Sequence, residues 1–141
     1  MQIGKDFIGV SCGAQIINEK KQILLMKRSK KCKNKPGYWM NAGGKVEFFE
    51  KIENAVKREV MEELGVKIKI LKLLPVLDDI KTAEKQHWIA PQFLCKITKG
   101  APRNKEPEKC EEIKWFNLEK IPKKTTKTTK NGVREIKKIV K

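Results

Sequence analysis

The stretch Gly44 to Val66, which reads GKVEFFEKIENAVKREVMEELGV, contains the clearest helical pattern of the chain. From Ile52 to Leu64 its apolar residues recur every four positions, as they do on the buried face of an amphipathic helix. Gly65 follows directly, and glycine most easily takes the left-handed conformation of a helix C-terminus. The pattern therefore predicts a helix from Glu50 to Leu64 that ends at Gly65.

Three carboxylates of this helix, those of Glu59, Glu62 and Glu63, are spaced i, i+3 and i+4. At 3.6 residues per turn this spacing gathers them within an arc of about 100° on one face. Like charges so close repel each other, and a bound divalent cation is one explanation for their presence; a solvated acidic face is the common alternative. Oxygen ligands favour Mg²⁺ or Mn²⁺ over zinc, and the pair Gly43-Gly44 lets a backbone carbonyl approach such an ion.

The order of these residues matches a known signature at every specified position. Gly44 is followed after five residues by Glu50, and after seven more by REVMEELGV, which begins at Arg58. The chain thereby resembles the Nudix hydrolases, and in particular the MutT-like nucleotide pyrophosphohydrolases. The segments LLMKRS, PGYWMNAGGKVE and EPEKCEEIKWFNLEKIP also look like parts of that family, so the resemblance covers about residues 8–122.

The resemblance implies an α/β fold, the Nudix fold, with a mixed β-sheet in an α/β/α sandwich. It implies one Nudix domain over residues 1–141, with the signature at 44–66. Such enzymes use Mg²⁺ or Mn²⁺ to cleave a pyrophosphate bond of a nucleoside triphosphate or a related nucleoside diphosphate derivative, and nucleotide-pool sanitation is one such role. The expected partner is a small nucleotide, and the expected assembly is a monomer or a homodimer.

Carried over by position, the resemblance makes Glu59 and Glu63 the principal metal ligands. Glu62 becomes a further ligand or a water-activating base, so Glu59 and Glu62 are the catalytic candidates, and the carbonyl of Gly43 faces the metal. A further carboxylate often comes from outside the signature, and the candidates here are Glu108, Glu111 and Glu112.

Other positions of the signature are expected to be structural. Arg58 would pair with Glu50 and hold the loop against the helix. Gly44 would allow a close approach of the backbone, and Gly65 would end the helix. Two residues depart from the usual pattern: Phe49 replaces the glycine before the first glutamate, and Ala42 replaces a frequent proline. Because phenylalanine does not easily take a positive φ, this turn must adopt another conformation or be strained.

Three residues outside the signature are substrate-binding candidates. Arg28 ends a strand at a basic loop, where a phosphate contact and a plain surface role are equally plausible. The indoles of Trp39 and Trp88 could stack on a base, although core packing is the more frequent fate of tryptophan. His87 is expected to be structural, and Phe48 beside Phe49 is expected to be a pocket wall or a packing residue.

The charge is unevenly distributed along the chain. The net charge is +16, yet residues 20–35 hold eight basic side chains and no acidic one, and residues 121–141 hold eight against one, so the rest carries only +1. Such patches attract phosphates or nucleic acid, but a solvated lysine-rich surface explains them more simply. We expect the first patch to steer small nucleotides, and a Nudix-fold nucleotide- or RNA-binding module with little turnover remains the alternative.

The remaining pattern predicts several extended segments and a closing helix. No apolar run approaches the roughly 20 residues of a membrane span and no signal peptide is evident, so we expect a cytoplasmic protein without membrane contact. The four cysteines lack CxxC spacing, which argues against a zinc site and for reduced thiols. The predicted segments are a hairpin of 7–18 with 22–28, extended chain at 39–47 and 66–77, an apolar run at 86–98 in which Pro91 marks an edge or a bulge, a short strand at 113–116 and a helix at 131–141.

Overall fold

A computed structural model describes residues 1–140 of the chain. The described part forms nine strands and two helices. In chain order they are β1 (Gly9–Ile16), β2 (Gln22–Arg28), β3 (Trp39–Met40), β4 (Ala42–Lys45), α1 (Ile52–Leu64), β5 (Lys67–Leu73), β6 (Leu77–Lys81), β7 (Gln86–Ala90), β8 (Gln92–Lys99), β9 (Cys110–Asn117) and α2 (Lys127–Ile139).

Strand β1 is the centre of a six-stranded mixed sheet in the order β5-β8-β1-β7-β6, with β4 also paired to β1. It runs parallel to β7 and β8, and antiparallel to β4, where Gly13 lies opposite Gly43. Pro91 separates β7 from β8, as a residue without a backbone N–H does at an irregular position of a strand. The edge or bulge predicted at Pro91 is thus a break that divides the 86–98 run into two strands.

The predicted hairpin of the first two strands is wrong. The chain does reverse at Asn18, but beyond the single bridge Ile17–Ile23 the strands separate, and β2 joins β3 and β9 in a second sheet. The physical reason lies in β2 itself, because the four residues 23–26 are all buried. A strand that is buried on both faces needs cover on both sides, and β2 obtains it by lying between two hydrophobic clusters.

The two helices belong to different clusters, which lie on opposite faces of β1 and β8. Helix α1 buries Val56, Val60 and Leu64 in the cluster that contains Ala14 of β1. Helix α2 buries Val133 and Ile136 in the second cluster, together with Leu94 of β8. The predicted α/β class, the mixed sheet and the similarity to an α/β/α sandwich are confirmed. As predicted, Gly65 ends α1, with φ at 70°.

A buried polar network joins α2 to the central sheet. Gln15 donates to Asn41 Oδ1 at 3.0 Å, Asn41 donates to Gln92 Oε1 at 2.9 Å, and the Thr129 hydroxyl donates to Asn41 Oδ1 at 2.6 Å. Gly132 of α2 sits directly over this network, where an added Cβ would lie 2.6 Å from Cδ of Gln15. The network therefore fixes both the position and the rotation of α2.

Helix α1 begins at Ile52 rather than Glu50 and β9 is longer than predicted, but β6 and α2 differ more from the sequence prediction. Strand β6 was not predicted, because Asp78 and Asp79 interrupt its apolar pattern; it pairs with β7 along its whole length. Helix α2 begins at Lys127 rather than Asn131, and Lys141 lies outside the described residues. Neither described helix is long and apolar enough to cross a membrane. All four cysteines are free thiols.

Candidate active site

The site forms where α1 meets the β4 backbone. The Gly43 N–H donates to Glu63 Oε1 at 2.9 Å. At Gly44 the absence of a side chain is required, because a Cβ there would lie 2.6 Å from Glu59 Oε2. The helix can thus place two carboxylates directly against the glycine backbone, which a larger residue would push away.

Arg58 holds the loop before α1 in place. Its Nε and Nη2 donate to the two oxygens of Glu50 at 2.7 and 3.0 Å, and Nη2 also donates to the Lys45 carbonyl at 3.1 Å. The Arg58 hydrogen bond and the Glu47 N–H lower the pKa of Glu50 to about 2. The loop is therefore fixed at both ends by one guanidinium.

The other nitrogen of Arg58 contacts the acidic face of α1. Nη1 donates to Glu59 Oε1 at 2.9 Å and to Glu62 Oε1 at 3.3 Å. Glu59 is largely buried, with 16% of its side chain exposed, whereas 51% of the Glu62 side chain is exposed. Solvent therefore reaches Glu62 more easily than Glu59.

The carboxylates of Glu59 and Glu63 are poorly solvated. Burial raises the pKa of Glu63 to about 8, against the opposing effect of the Gly43 N–H, and the charges of Glu59, Glu106 and Glu62 raise it further. Burial also raises the pKa of Glu59, despite its contact with Arg58. Although Arg58 contacts Glu59 and Glu62, burial thus makes the charged forms of Glu59 and Glu63 unfavourable unless a further cation is present.

The carboxylate from outside the signature that influences this site is Glu106. Its charge raises the pKa of both Glu59 and Glu63, and its side chain lines the same cavity as Glu63. Glu108 and Glu112 are exposed and do not line that cavity, while Glu111 accepts a hydrogen bond from the Lys30 N–H. The sequence signal for Glu106 was its place in EPEKCEEIKWF, four residues before the buried Cys110 of β9.

Two connected cavities lie above these residues. The catalytic cavity, of about 360 Å³, is lined by Gly43, Gly44, Glu63 and Glu106. The middle cavity, of about 420 Å³, shares the glycine pair and extends over Asn41 and Gln92 to the N-terminus of α2. Both have the size of small-molecule sites.

The family model for the NUDIX domain matches residues 8–136, which include this entire site. The chain belongs to the Nudix hydrolase family.

Curated Nudix relatives carry nucleotide-hydrolase names. An ADP-ribose pyrophosphatase of Methanocaldococcus jannaschii is 34% identical over 110 residues, which are 77% of this chain and 62% of the relative. The nucleoside triphosphatase NudI of Escherichia coli O139:H28 is 45% identical over 49 residues, which are 33% of this chain and 35% of the relative. The chain spans less than two thirds of the length of either protein.

Solved Nudix structures match over almost the whole chain. The MutT Nudix hydrolase from Burkholderia pseudomallei is 39% identical with a TM-score of 0.85, and the match covers 92% of this chain and 98% of that one. The MutT protein from Methanosarcina mazei Go1 is 26% identical with a TM-score of 0.80, over 99% and 100% of the two chains.

The donor set suits the hard cation implied by the Nudix signature. Within residues 1–140, no three Asp, Glu, His or Cys side chains are already arranged to hold an ion. Arg58 bridges Glu59 and Glu62, so a cation would have to replace this guanidinium as their partner. The buried carboxylates, the all-oxygen donors and the close approach of Glu59 to the Gly44 backbone nevertheless fit Mg²⁺ or Mn²⁺.

The three substrate-binding candidates occupy different environments. Arg28 lines both cavities, and its Nε donates to the Asn34 carbonyl at 2.8 Å. Trp88 lines the catalytic cavity, but its indole is packed against Gly4 and Gly9. Trp39 lies in the second cluster, with its ring 4.8 Å from that of Phe116, and lines neither cavity. The structure therefore favours core packing for Trp39.

The aromatic pair at the signature loop neither lines a cavity nor packs in the core. Phe48 is 87% exposed and Phe49 is 96% exposed. The two rings lie against each other, with their centroids 4.2 Å apart. The pocket-wall and packing expectations for this pair are both wrong. Phe49 has φ at 67°, so the loop keeps the left-handed turn even without glycine. His87, also expected to be structural, lies near the surface with its Nε2 3.2 Å from Asp78 Oδ1.

Proposed function

We propose that this Nudix chain is a divalent-metal-dependent hydrolase that cleaves a pyrophosphate bond of a nucleoside triphosphate or a related nucleoside diphosphate derivative. One observation carries the proposal. Glu63 and Glu106 line one cavity beside the Gly43-Gly44 backbone, which is large enough for a phosphate chain, and the charge of Glu106 raises the pKa of both Glu59 and Glu63. Such a cluster is unfavourable unless a cation balances it.

In this proposal Glu59, Glu63 and Glu106 hold Mg²⁺ or Mn²⁺, with the Gly43 carbonyl as a further ligand. When bound, the cation would neutralise charge on phosphate oxygens and lower the pKa of a coordinated water. Glu62 is the most exposed of Glu59, Glu62 and Glu63, and it is the candidate base that would accept the proton of the attacking water. Arg28, which lines both cavities, supplies positive charge for the phosphates.

The middle cavity is the natural place for the nucleoside. It lies beside the glycine pair, and its wall contains the side-chain amides of Asn41 and Gln92, which are 5% and 7% exposed. Two relatives are named for ADP-ribose and for nucleoside triphosphates, so the panel of test substrates should contain both types. Nucleotide-pool sanitation fits the proposal if oxidised triphosphates are hydrolysed faster than ordinary ones.

The test is Mg²⁺-dependent release of phosphate or pyrophosphate from this panel. Glu63→Gln should lower kcat/KM more than about 100-fold, since even outer-shell partners of a metal ligand contribute 10 to 100-fold. Glu53→Gln is the matched control, because Glu53 is an exposed glutamate on the same helix, and it should retain activity. Turnover that is absent for every substrate, or equal in both variants, would refute the proposal.

The binding module without turnover is the weaker reading. Its only support is the basic surface, whereas Glu59, Glu62 and Glu63 are all present and Glu59 and Glu63 face the glycine backbone. RNA binding that is tight at low salt and unaffected by Glu63→Gln, in a protein that hydrolyses no nucleotide, would favour it.

A further inference from the structure

A third cavity, called here the basic groove, lies beside α2. It has a volume of about 500 Å³ and is lined by Lys35, Tyr38, Lys127, Lys130 and Arg134. In the described part of the chain it has four cationic lining residues and no acidic one. The sequence patches at 20–35 and 121–141 therefore meet here, where one loop lysine faces three cations of α2.

The cations of α2 form a stripe along the groove. Lys127, Lys130 and Arg134 are spaced i, i+3 and i+7, so they share one helical face over about 10 Å. None of the ion pairs found in residues 1–140 includes these three residues. Their neighbours on the same helix do have acidic partners: Lys137 binds Glu119 at 3.2 Å and Lys138 binds Glu135 at 3.0 Å.

The segment that leads into α2, whose Thr125 and Thr126 line the groove, is held in place by backbone hydrogen bonds. The Trp39 N–H donates to the Lys124 carbonyl at 2.8 Å, and the Thr126 N–H donates to the Trp39 carbonyl at 2.9 Å, so this segment is bound to β3. No side-chain hydrogen bond caps α2 at Thr126, which leaves the positive end of the helix dipole beside the cations. The Tyr38 ring also lines the groove, with its centroid 5.2 Å from Lys35 Nζ.

The three cavities are arranged in a defined order. The basic groove shares Lys35, Thr126 and Lys127 with the middle cavity, and it shares no residue with the catalytic cavity. The middle cavity therefore lies between the metal candidates and the groove. An anion in the groove must belong to the part of a substrate that extends beyond its nucleoside, away from the bond that is cleaved.

We propose that the basic groove binds the phosphodiester backbone of a single nucleic-acid strand whose 5′-terminal nucleotide occupies the middle cavity. The direction of the strand rests on the proposed function, which places the 5′-phosphates at Glu63. The chain then continues from the 3′-oxygen of that nucleotide toward Lys127. Lysines along a groove next to one aromatic ring suit phosphates and base stacking without sequence preference.

This proposal adds a substrate class to the proposed function. A mononucleotide would occupy the catalytic and middle cavities and leave the groove unused. An oligonucleotide with a 5′-triphosphate would use all three, and the bond cleaved would be the same pyrophosphate bond. Its additional affinity should depend steeply on salt, because each phosphate bound by a cation releases counterions.

The binding experiment separates the groove from catalysis. Fluorescence anisotropy in EDTA measures the binding of 5′-phosphorylated six-nucleotide RNA and DNA, with the mononucleotide as competitor. The groove variant is Lys130→Gln with Arg134→Gln, and the matched control on the same helix is Lys137→Gln with Lys138→Gln. We expect the groove variant to bind both strands at least about tenfold more weakly, and the control to stay within about twofold of wild type.

The salt dependence provides a second readout, which a general loss of stability would not mimic. For single strands the slope of log K against log salt is about −0.7 per phosphate neutralised, so removing two cations should reduce its magnitude by about 1.4. If one strand type alone shows this loss, that type is the source of the ligand. If the groove and control variants bind equally, or if the hexamer binds no more tightly than the mononucleotide, the proposal is overturned.

Turnover distinguishes this failure from a failure of the proposed function. With Mg²⁺, the groove variant should hydrolyse mononucleotides within about twofold of wild type and lose its preference for 5′-triphosphorylated oligonucleotides. Mononucleotide turnover without groove-dependent strand binding would reject the groove alone. Groove-dependent binding without any turnover would reject the hydrolase and retain the groove as a strand-binding surface.

Discussion

Phe49 is the residue whose conformation is least expected from its type. Its φ of 67° lies in the left-handed region, and its side chain gains almost nothing in return, since it is 96% exposed. Left-handed backbone costs about 1 to 2 kcal/mol for a residue with a Cβ. The loop tolerates this strain because Arg58 holds both Glu50 and the Lys45 carbonyl on either side of it.

We predict that Phe49→Gly stabilises the protein by about 0.5 to 1 kcal/mol. Glycine takes this φ without strain, although it also has more freedom to lose on folding. Phe48→Gly is the control, because it removes an equally exposed ring from a residue whose φ is not positive. Thermal unfolding in EDTA measures both; a lower Tm for Phe49→Gly would show that the ring pair stabilises the loop.

Glu63 should make the metal-free protein less stable as pH rises. Its pKa is about 4.5 in the unfolded chain and about 8 in the folded one, so the native state binds the proton more tightly. The stability due to the protonated form is full below pH 4.5 and is lost as pH rises to about 8. We predict that Glu63→Gln in EDTA is more stable than wild type at pH 8, by about 2 kcal/mol after allowance for partial solvation.

Urea unfolding at several pH values tests this prediction. The difference between Glu63→Gln and wild type should grow from pH 4.5 to 8 and then level off. Glu53→Gln, on the exposed face of α1, should show no such growth. A constant difference across this range would mean that the burial of Glu63 does not govern the effect.

At the scale of elements, the attachment of α2 depends on a glycine that would otherwise weaken the helix. Replacing glycine by alanine inside a helix ordinarily stabilises it by about 0.5 to 1 kcal/mol. At Gly132 the new Cβ would lie 2.6 Å from Cδ of Gln15, in the middle of the buried amide network. Because α2 and β1 approach so closely, replacing Gly132 by alanine should destabilise the protein instead of stabilising it.

We predict that Gly132→Ala destabilises the protein by about 1 to 3 kcal/mol, as overpacking does in a filled interior. Asn131→Ala, one position earlier on the same helix, should be neutral or stabilising because Asn131 is not in the network. Chemical denaturation measures both variants. Increased stability of Gly132→Ala would mean that α2 moves away from the sheet without loss.

The elements also show what the sequence could and could not provide. Helix α1 was predictable because its period, its terminal glycine and its signature agree. Strand β6 was not, because Asp78 and Asp79 disrupt its pattern and its position depends on β7, which follows it in the chain. Glu106 was missed for a related reason: the sequence places it in a loop, and only the fold brings that loop to Glu59 and Glu63.

At the scale of the whole molecule, the fold divides the four cysteines into two groups. Cys12, Cys95 and Cys110 are buried, and burial raises the pKa of the first two to about 11 and about 12. Cys32, in the basic loop, is only partly covered. Because the thiolate is the reactive form, the three buried thiols should react slowly in the native protein.

We predict that a thiol reagent at pH 8 labels one cysteine rapidly in the native protein and all four after unfolding in guanidinium. Cys32→Ser should remove the rapid phase. Cys110→Ser is the informative comparison, because Cys110 lines the catalytic cavity yet is 3% exposed, and it should leave the rapid phase intact. Two or more rapid thiols in native protein would contradict the packing of the first cluster, which contains all three buried cysteines.

The separation of β1 and β2 into different sheets has a consequence for how the chain reaches its structure. The partners of β1 lie as far along the chain as Cys95, and Gln22 of β2 pairs with Asn117. Contacts between such distant segments make folding slow, in the range of milliseconds to seconds for small domains rich in them. During synthesis, neither sheet can be completed until most of the chain has left the ribosome. Helix α1 is therefore synthesised before some of the strands that bury its apolar face.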